Sequence, residues 1–129
     1  MRLSDVRRCA LSWPEAAEQP HFQFTSFRVR GKIFATVPPE GDRVHLFVSD
    51  SVREQTLAMH PQWAHKLLWG SKVVGLRIDL AMAKPAVVKQ LIGQAWAHKA
   101  PKALQQHRDA HGINSPQAPS GKKVTPARP

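Results

Sequence analysis

The sequence predicts an α+β fold: an antiparallel sheet of about four or more strands with helices packed on one face. Apolar residues alternate with a period of two across residues 24–48 and again across 73–78, the pattern of half-buried strands. Helical spacing flanks those runs, at Val6, Ala10 and Trp13 before them and at Val88, Leu91, Ile92, Ala95 and Trp96 after them. Sorting the strand positions by parity leaves one face almost wholly apolar, and that face must meet the helices.

In chain order, Ser4 is a good N-cap, with Leu3 placed as a hydrophobic staple before a helix over 5–11, and Pro14 ends the helical stretch. Residues 15–23, with Pro20 among them, read as a loop. Three strands follow over 24–29, 32–37 and 43–48, joined by turns at Arg30-Gly31 and at Pro38-Pro39-Glu40-Gly41-Asp42. Ser49 or Asp50 caps a helix over 51–59, on which Val52, Thr56 and Met59 share a face, and Pro61 closes it. The tryptophan-rich stretch 62–71, ending in Trp69-Gly70-Ser71, reads as a connecting loop. A fourth strand covers 73–78, 79–83 connect, and Pro85 opens a long amphipathic helix to about residue 99. Beyond Leu104 almost no large apolar residue occurs, so a single domain over 1–104 and a basic, disordered tail over 105–129 are expected.

Composition narrows the function classes. The N-terminus has no apolar stretch of signal-peptide length, and no uncharged run approaches the roughly 20 residues that span a bilayer. A single cysteine, Cys9, forms no internal disulfide, which suits a reducing compartment, and the cytoplasm is the expected location. A monomer is expected. The chain carries 19 Lys and Arg against 9 Asp and Glu, a formal net charge of +10. Residues 1–99 hold 14 of those cations and 8 of the acids, so the excess is not confined to the tail. Such a balance suits a polyanionic partner, although plain solubility accounts for it about equally well.

Parity assigns Thr25, Phe27, Val29, Ile33, Ala35, Val37, Val44, Leu46, Val48, Val74, Leu76 and Ile78 to the helix-covered face. The opposite face receives Ser26, Arg28, Arg30, Lys32, Phe34, Thr36, Arg43, His45, Phe47 and Arg77, and no acid. Its cations suit phosphates, and Lys72, at the head of the fourth strand, joins them. Phe34 and Phe47 offer planes for base stacking. Packing beneath the 62–71 segment is the commoner fate of such a cross-strand pair.

No glycine-rich phosphate loop, Gly-x-Ser-x-Gly elbow or His-Glu-x-x-His motif occurs. Cys9 sits among Val6 and Ala10, as a small core residue does. His107 and His111 share a helical spacing but have no third ligand in view, and the remaining histidines and acids are scattered. No enzyme, cofactor or metal is expected.

The segments Asp5-Val6-Arg7-Arg8-Cys9-Ala10-Leu11, Pro14-Glu15-Ala16, His21-Phe22, Trp69-Gly70-Ser71 and Ala100-Pro101-Lys102-Ala103-Leu104, and above all Phe27-Arg28-Val29-Arg30-Gly31-Lys32-Ile33-Phe34-Ala35, resemble the MmcQ/YjbR family. The resemblance covers roughly residues 3–104. It implies a double-wing α+β fold, proposed on that basis to bind DNA, with Lys32 and Phe34 at the positions of a glycine-lysine-phenylalanine motif and His21, Phe22, Trp69 and Lys102 at other matching positions. The chain departs from the family pattern where an aromatic commonly follows the glycine of the Trp69 segment, for Lys72, Val73 and Val74 stand there. The motif residues also have plain structural uses, Gly31 in a tight turn and Phe34 in packing. Two functions follow as expectations. One is a nucleic-acid-binding module, for DNA rather than RNA, using Arg28, Arg30, Lys32, Arg43, Arg77, Lys72, Phe34 and His45. The other is a protein-interaction or small-ligand adaptor built around Trp63 and Trp69.

Overall fold

The computed structural model describes residues 1–105. Helix α1 (Leu3–Leu11) is followed by strands β1 (Ala16–His21), β2 (Phe24–Val29), β3 (Lys32–Val37) and β4 (Arg43–Leu46). Helix α2 (Asp50–Met59), strands β5 (Ala64–Trp69) and β6 (Lys72–Asp79), and helix α3 (Pro85–Lys99) complete the order. All six strands pair antiparallel in one open sheet, β1-β2-β3-β4-β6-β5, with β1 and β5 at the edges. The fold class is the one the sequence predicts. The expected tail and the His107–His111 pair lie outside the described residues, apart from Gln105.

Helix positions follow from local chemistry. The backbone N–H of Arg2 donates to Asp5 Oδ2 at 2.9 Å, so α1 begins two residues earlier than a Ser4 cap implies. Ser49 Oγ accepts from the Val52 N–H at 3.3 Å and caps α2, and Pro85 stands in the first turn of α3, both as expected.

Two strands replace expected loops. β1 has a single neighbour, its side chains are mostly exposed, and it shows no apolar alternation from which a strand can be read. Pro20 is tolerated there because an edge strand need not donate on its outer side. β5 likewise sits at an edge, where Leu68 and Trp69 face water despite their size. The third expected strand ends at Leu46, two residues early, as the chain leaves the sheet for α2.

Residues paired across antiparallel strands share a face. Phe27, Ala35, Leu46 and Leu76 form one such row, and Val44 and Ile78 lie in the next row on the same side. They join Val6 and Ala10 of α1 and Val88, Leu91, Ile92, Ala95 and Trp96 of α3 in the core, against which Val52 and Leu57 of α2 also pack. Trp13 stacks on Trp96 with ring centroids 5.3 Å apart, and the Trp96 indole N–H donates to the Pro14 carbonyl at 3.0 Å. Cys9 is half-buried against this core, and burial raises its thiol pKa.

Register shifts break the simple parity. Phe27 pairs with Ala35 but Arg28 pairs with Ile33, which leaves Phe34 as the extra residue of a bulge. Phe34 is consequently 0% exposed in the core, while Ile33 shares the side of Arg28. The assignment of these two residues by strict alternation is therefore reversed. A second bulge, at Val74, lies between the Leu67–Gly75 and Leu68–Val73 pairs.

Candidate nucleic-acid interface

The side of the sheet turned away from the core carries a continuous polar row. By register it runs Gln19, Ser26, Thr36, His45, Arg77, His65 from one edge to the other. Arg28 flanks the row on one side and Arg43 on the other, because residues two apart on a strand project alike. Arg77 is exposed, Arg28 and Arg43 half-buried.

Hydrogen bonds hold this surface in place. Ser26 Oγ donates to the Gln19 carbonyl at 2.7 Å and accepts from Arg28 Nε at 3.1 Å, so the Arg28 guanidinium is tethered at one end. Thr36 Oγ1 and His45 Nδ1 lie 3.2 Å apart, and the Phe24 ring approaches His45 with centroids 6.0 Å apart. Burial, then the charges of Arg43 and Arg77, push the His45 pKa down to about 4. His45 is therefore neutral at pH 7 and acts as a hydrogen-bonding strut rather than a cation.

The face is less uniformly basic than alternation implies. Arg43 pairs with Asp42 at 3.0 Å, and Asp79 stands opposite Arg43 in register, its Oδ1 accepting from the Ala81 N–H at 3.0 Å. Among the described residues no carboxylate lies within ion-pair distance of Arg28 or Arg77.

Four expected site residues stand elsewhere. Arg30 occupies the β2–β3 turn with φ 50°, and its Nη2 donates to Glu15 Oε2 at 3.0 Å, so its charge is matched. Lys32 begins β3 and Lys72 begins β6, both exposed at the tips of their hairpins rather than in the polar row. Phe34 is sealed in the core by the β3 bulge and offers no stacking plane. Trp63 is 4% exposed and stacks on His60, with centroids 4.5 Å apart, so it does not share a surface with Trp69, which is 65% exposed.

Three members of this surface escaped the sequence reading. Gln19 and His65 were hidden because β1 and β5 were not legible as strands. Phe24 had the right parity, and counting back from Ser26 places it. The β1–β2 turn also presents Phe22 at a φ of 58°, with His21 against its ring at 4.9 Å.

No group of three metal-ligating side chains occurs among the described residues, and no described helix is long and apolar enough to cross a membrane. The family model named YjbR matches residues 11–98. The chain belongs to the YjbR family. The match begins after most of α1 and ends inside α3, so it is shorter at both ends than the resemblance over 3–104. This YjbR protein also shares its fold with the crystal structure of Deinococcus radiodurans protein DR2400, which carries a DUF419 domain. That likeness has a TM-score of 0.61 at 15% identity and covers 88% of this chain and 83% of the other. At that identity the likeness speaks for the fold alone. Comparison with curated proteins gives no match.

Proposed function

We propose that this YjbR protein is a non-enzymatic DNA-binding module that grips phosphates with the sheet face turned away from its helices. The observation that carries the reading is the placement of Arg28 and Arg77 around one row of neutral groups, Ser26, Thr36 and His45. Neither arginine has a carboxylate within ion-pair distance among the described residues, and Arg43 beside the row is already paired to Asp42. Guanidinium groups suit phosphate because their forked donors match its oxygens. Ser26, Thr36 and His45 are themselves buried, so the phosphate contacts fall to the guanidinium groups, with Ser26 tethering that of Arg28. A formal net charge of +10 adds long-range attraction.

Anisotropy of a short labelled duplex, measured over a series of salt concentrations, tests the proposal. The logarithm of the affinity is expected to fall linearly with the logarithm of salt, with a slope of about −0.9 per phosphate contact. Arg28→Ala with Arg77→Ala should weaken binding at least about tenfold and flatten that slope by about two contacts. Arg30→Ala, which removes a cation already matched by Glu15, should change it far less. Absent or salt-insensitive binding would overturn the proposal and favour an adaptor surface near Trp69.

A further inference from the structure

β4 ends at Leu46, whereas its two neighbours run on, β3 back to Lys32 and β6 back to Lys72. The β2–β3 and β5–β6 hairpins therefore stand apart beyond the end of β4, and a cleft of about 380 Å³ opens between them. Ile33 lines one side, Trp69 and Lys72 the other, and the exit of β4 at Phe47 and Val48 lies between. The start of α2 and the end of α3 contribute Arg53, His98 and Lys99.

We propose that this cleft binds a nucleotide, with the base against Trp69 and Phe47 and the phosphate held by Lys72 and Lys99. Trp69 and Phe47 form a corner of two rings, with centroids 6.0 Å apart and planes at 60°, and Trp69 keeps 65% of its surface exposed. Such a corner suits a flat heterocycle, whose face stacks on one ring while its edge meets the other. Lys72 and Lys99 form no ion pair among the described residues. Asp50, the acid in the lining, is taken up by Arg53 at 2.9 Å, and Arg53 also holds Glu54 at 2.9 Å. The unmatched charge of the cleft is thus positive. A bare anion would leave both rings unused, and an apolar ligand would leave two lysines facing it without a counter-charge. The volume sits near the lower end of the range for small-ligand sites, which suits one nucleotide. His98, whose pKa is lowered by burial and by Lys99 against the opposing pull of Asp50, adds a neutral hydrogen-bonding group at the rim.

The same chemistry is met in a free mononucleotide and in the phosphorylated end of a strand, and the inference does not rest on the sheet-face proposal, because Arg28 and Arg77 are not in the lining. Calorimetric titration of the full chain compares adenosine monophosphate, adenosine, inorganic phosphate and a tetranucleotide with and without a 5′-phosphate. Adenosine monophosphate should bind saturably, and adenosine and phosphate each at least about tenfold more weakly. Trp69→Ala, and Lys72→Ala with Lys99→Ala, should each cost at least about tenfold, while Arg28→Ala with Arg77→Ala leaves the affinity unchanged. These positions are exposed or half-buried, and an unaltered far-ultraviolet spectrum checks the fold of each variant. Tighter binding of the phosphorylated tetranucleotide than of the mononucleotide assigns the site to strand ends, and the reverse order assigns it to free nucleotides. No saturable heat up to about 10 mM, equal affinity for phosphate alone, or variants that bind as the parent does would each overturn the proposal.

Discussion

Phe22 and Phe34 show how little residue type alone says about fate, since one is 91% exposed at a turn and the other 0% exposed in the core. Removing the Phe34 ring should cost about 3–5 kcal/mol, because the bulge that turns it inward leaves a cavity when the ring is lost. Phe22→Ala should stay within about 0.5 kcal/mol, as surface changes do. Urea unfolding of the two variants measures the contrast. His45 makes a pH-dependent prediction at the same scale. Its folded pKa, about 4, lies below its ordinary value of 6.5, so below pH 6.5 the unfolded chain binds a proton that the folded chain refuses. Stability should therefore fall as pH drops from 6.5 towards 4, by an amount on the order of 1–2 kcal/mol after solvent screening, and level off below that window for this group. His98, also lowered, adds in the same direction. His45→Gln should flatten the curve measured by denaturant midpoints between pH 7.5 and 4, and an unchanged slope would contradict the role given to His45.

Among the elements, α3 depends on a glycine in its middle. A Cβ at Gly93 would run into the Trp13 ring, which stacks on Trp96 one turn further along. Gly93→Ala should therefore destabilise by about 1–3 kcal/mol despite the better helix propensity of alanine. In Trp13→Ala the same change should become neutral or favourable, and a double-mutant cycle by thermal or urea unfolding reads that coupling. The helices and the four inner strands β2, β3, β4 and β6 were legible because each carries a patterned apolar set. β1 was not, since Ala16, Glu18 and Pro20 point the same way along an edge and give no apolar rhythm. Bulges are invisible to a period count for a related reason. One extra residue shifts every later side chain to the other face, and only the partner strand records where this happens.

For the whole molecule, the distribution of charge and the closure of the core can be tested together. Leu104 is the last described apolar residue buried in the core, at 6% exposure. A chain truncated after Gln105 should keep its unfolding midpoint to within about 0.5 kcal/mol of the parent. It should also retain most of the salt slope in duplex binding, because residues 1–99 hold 14 of the 19 cations and contain the whole sheet face. Loss of all salt-dependent binding on truncation would move the polyanion site off the sheet and into residues 106–129.

The fold class, the positions of the helices and the side of the sheet on which Arg28, Arg43, His45 and Arg77 stand were settled by the sequence, because alternation and helical periodicity are local properties of the chain. Tertiary structure alone decided that Phe34 is core, that Arg30 is matched by Glu15, that Trp63 and Trp69 part company, and that a cleft opens where β4 stops short. Each of these depends on which strands lie side by side and in what register. Register is a relation between segments distant in sequence, and no single segment encodes it.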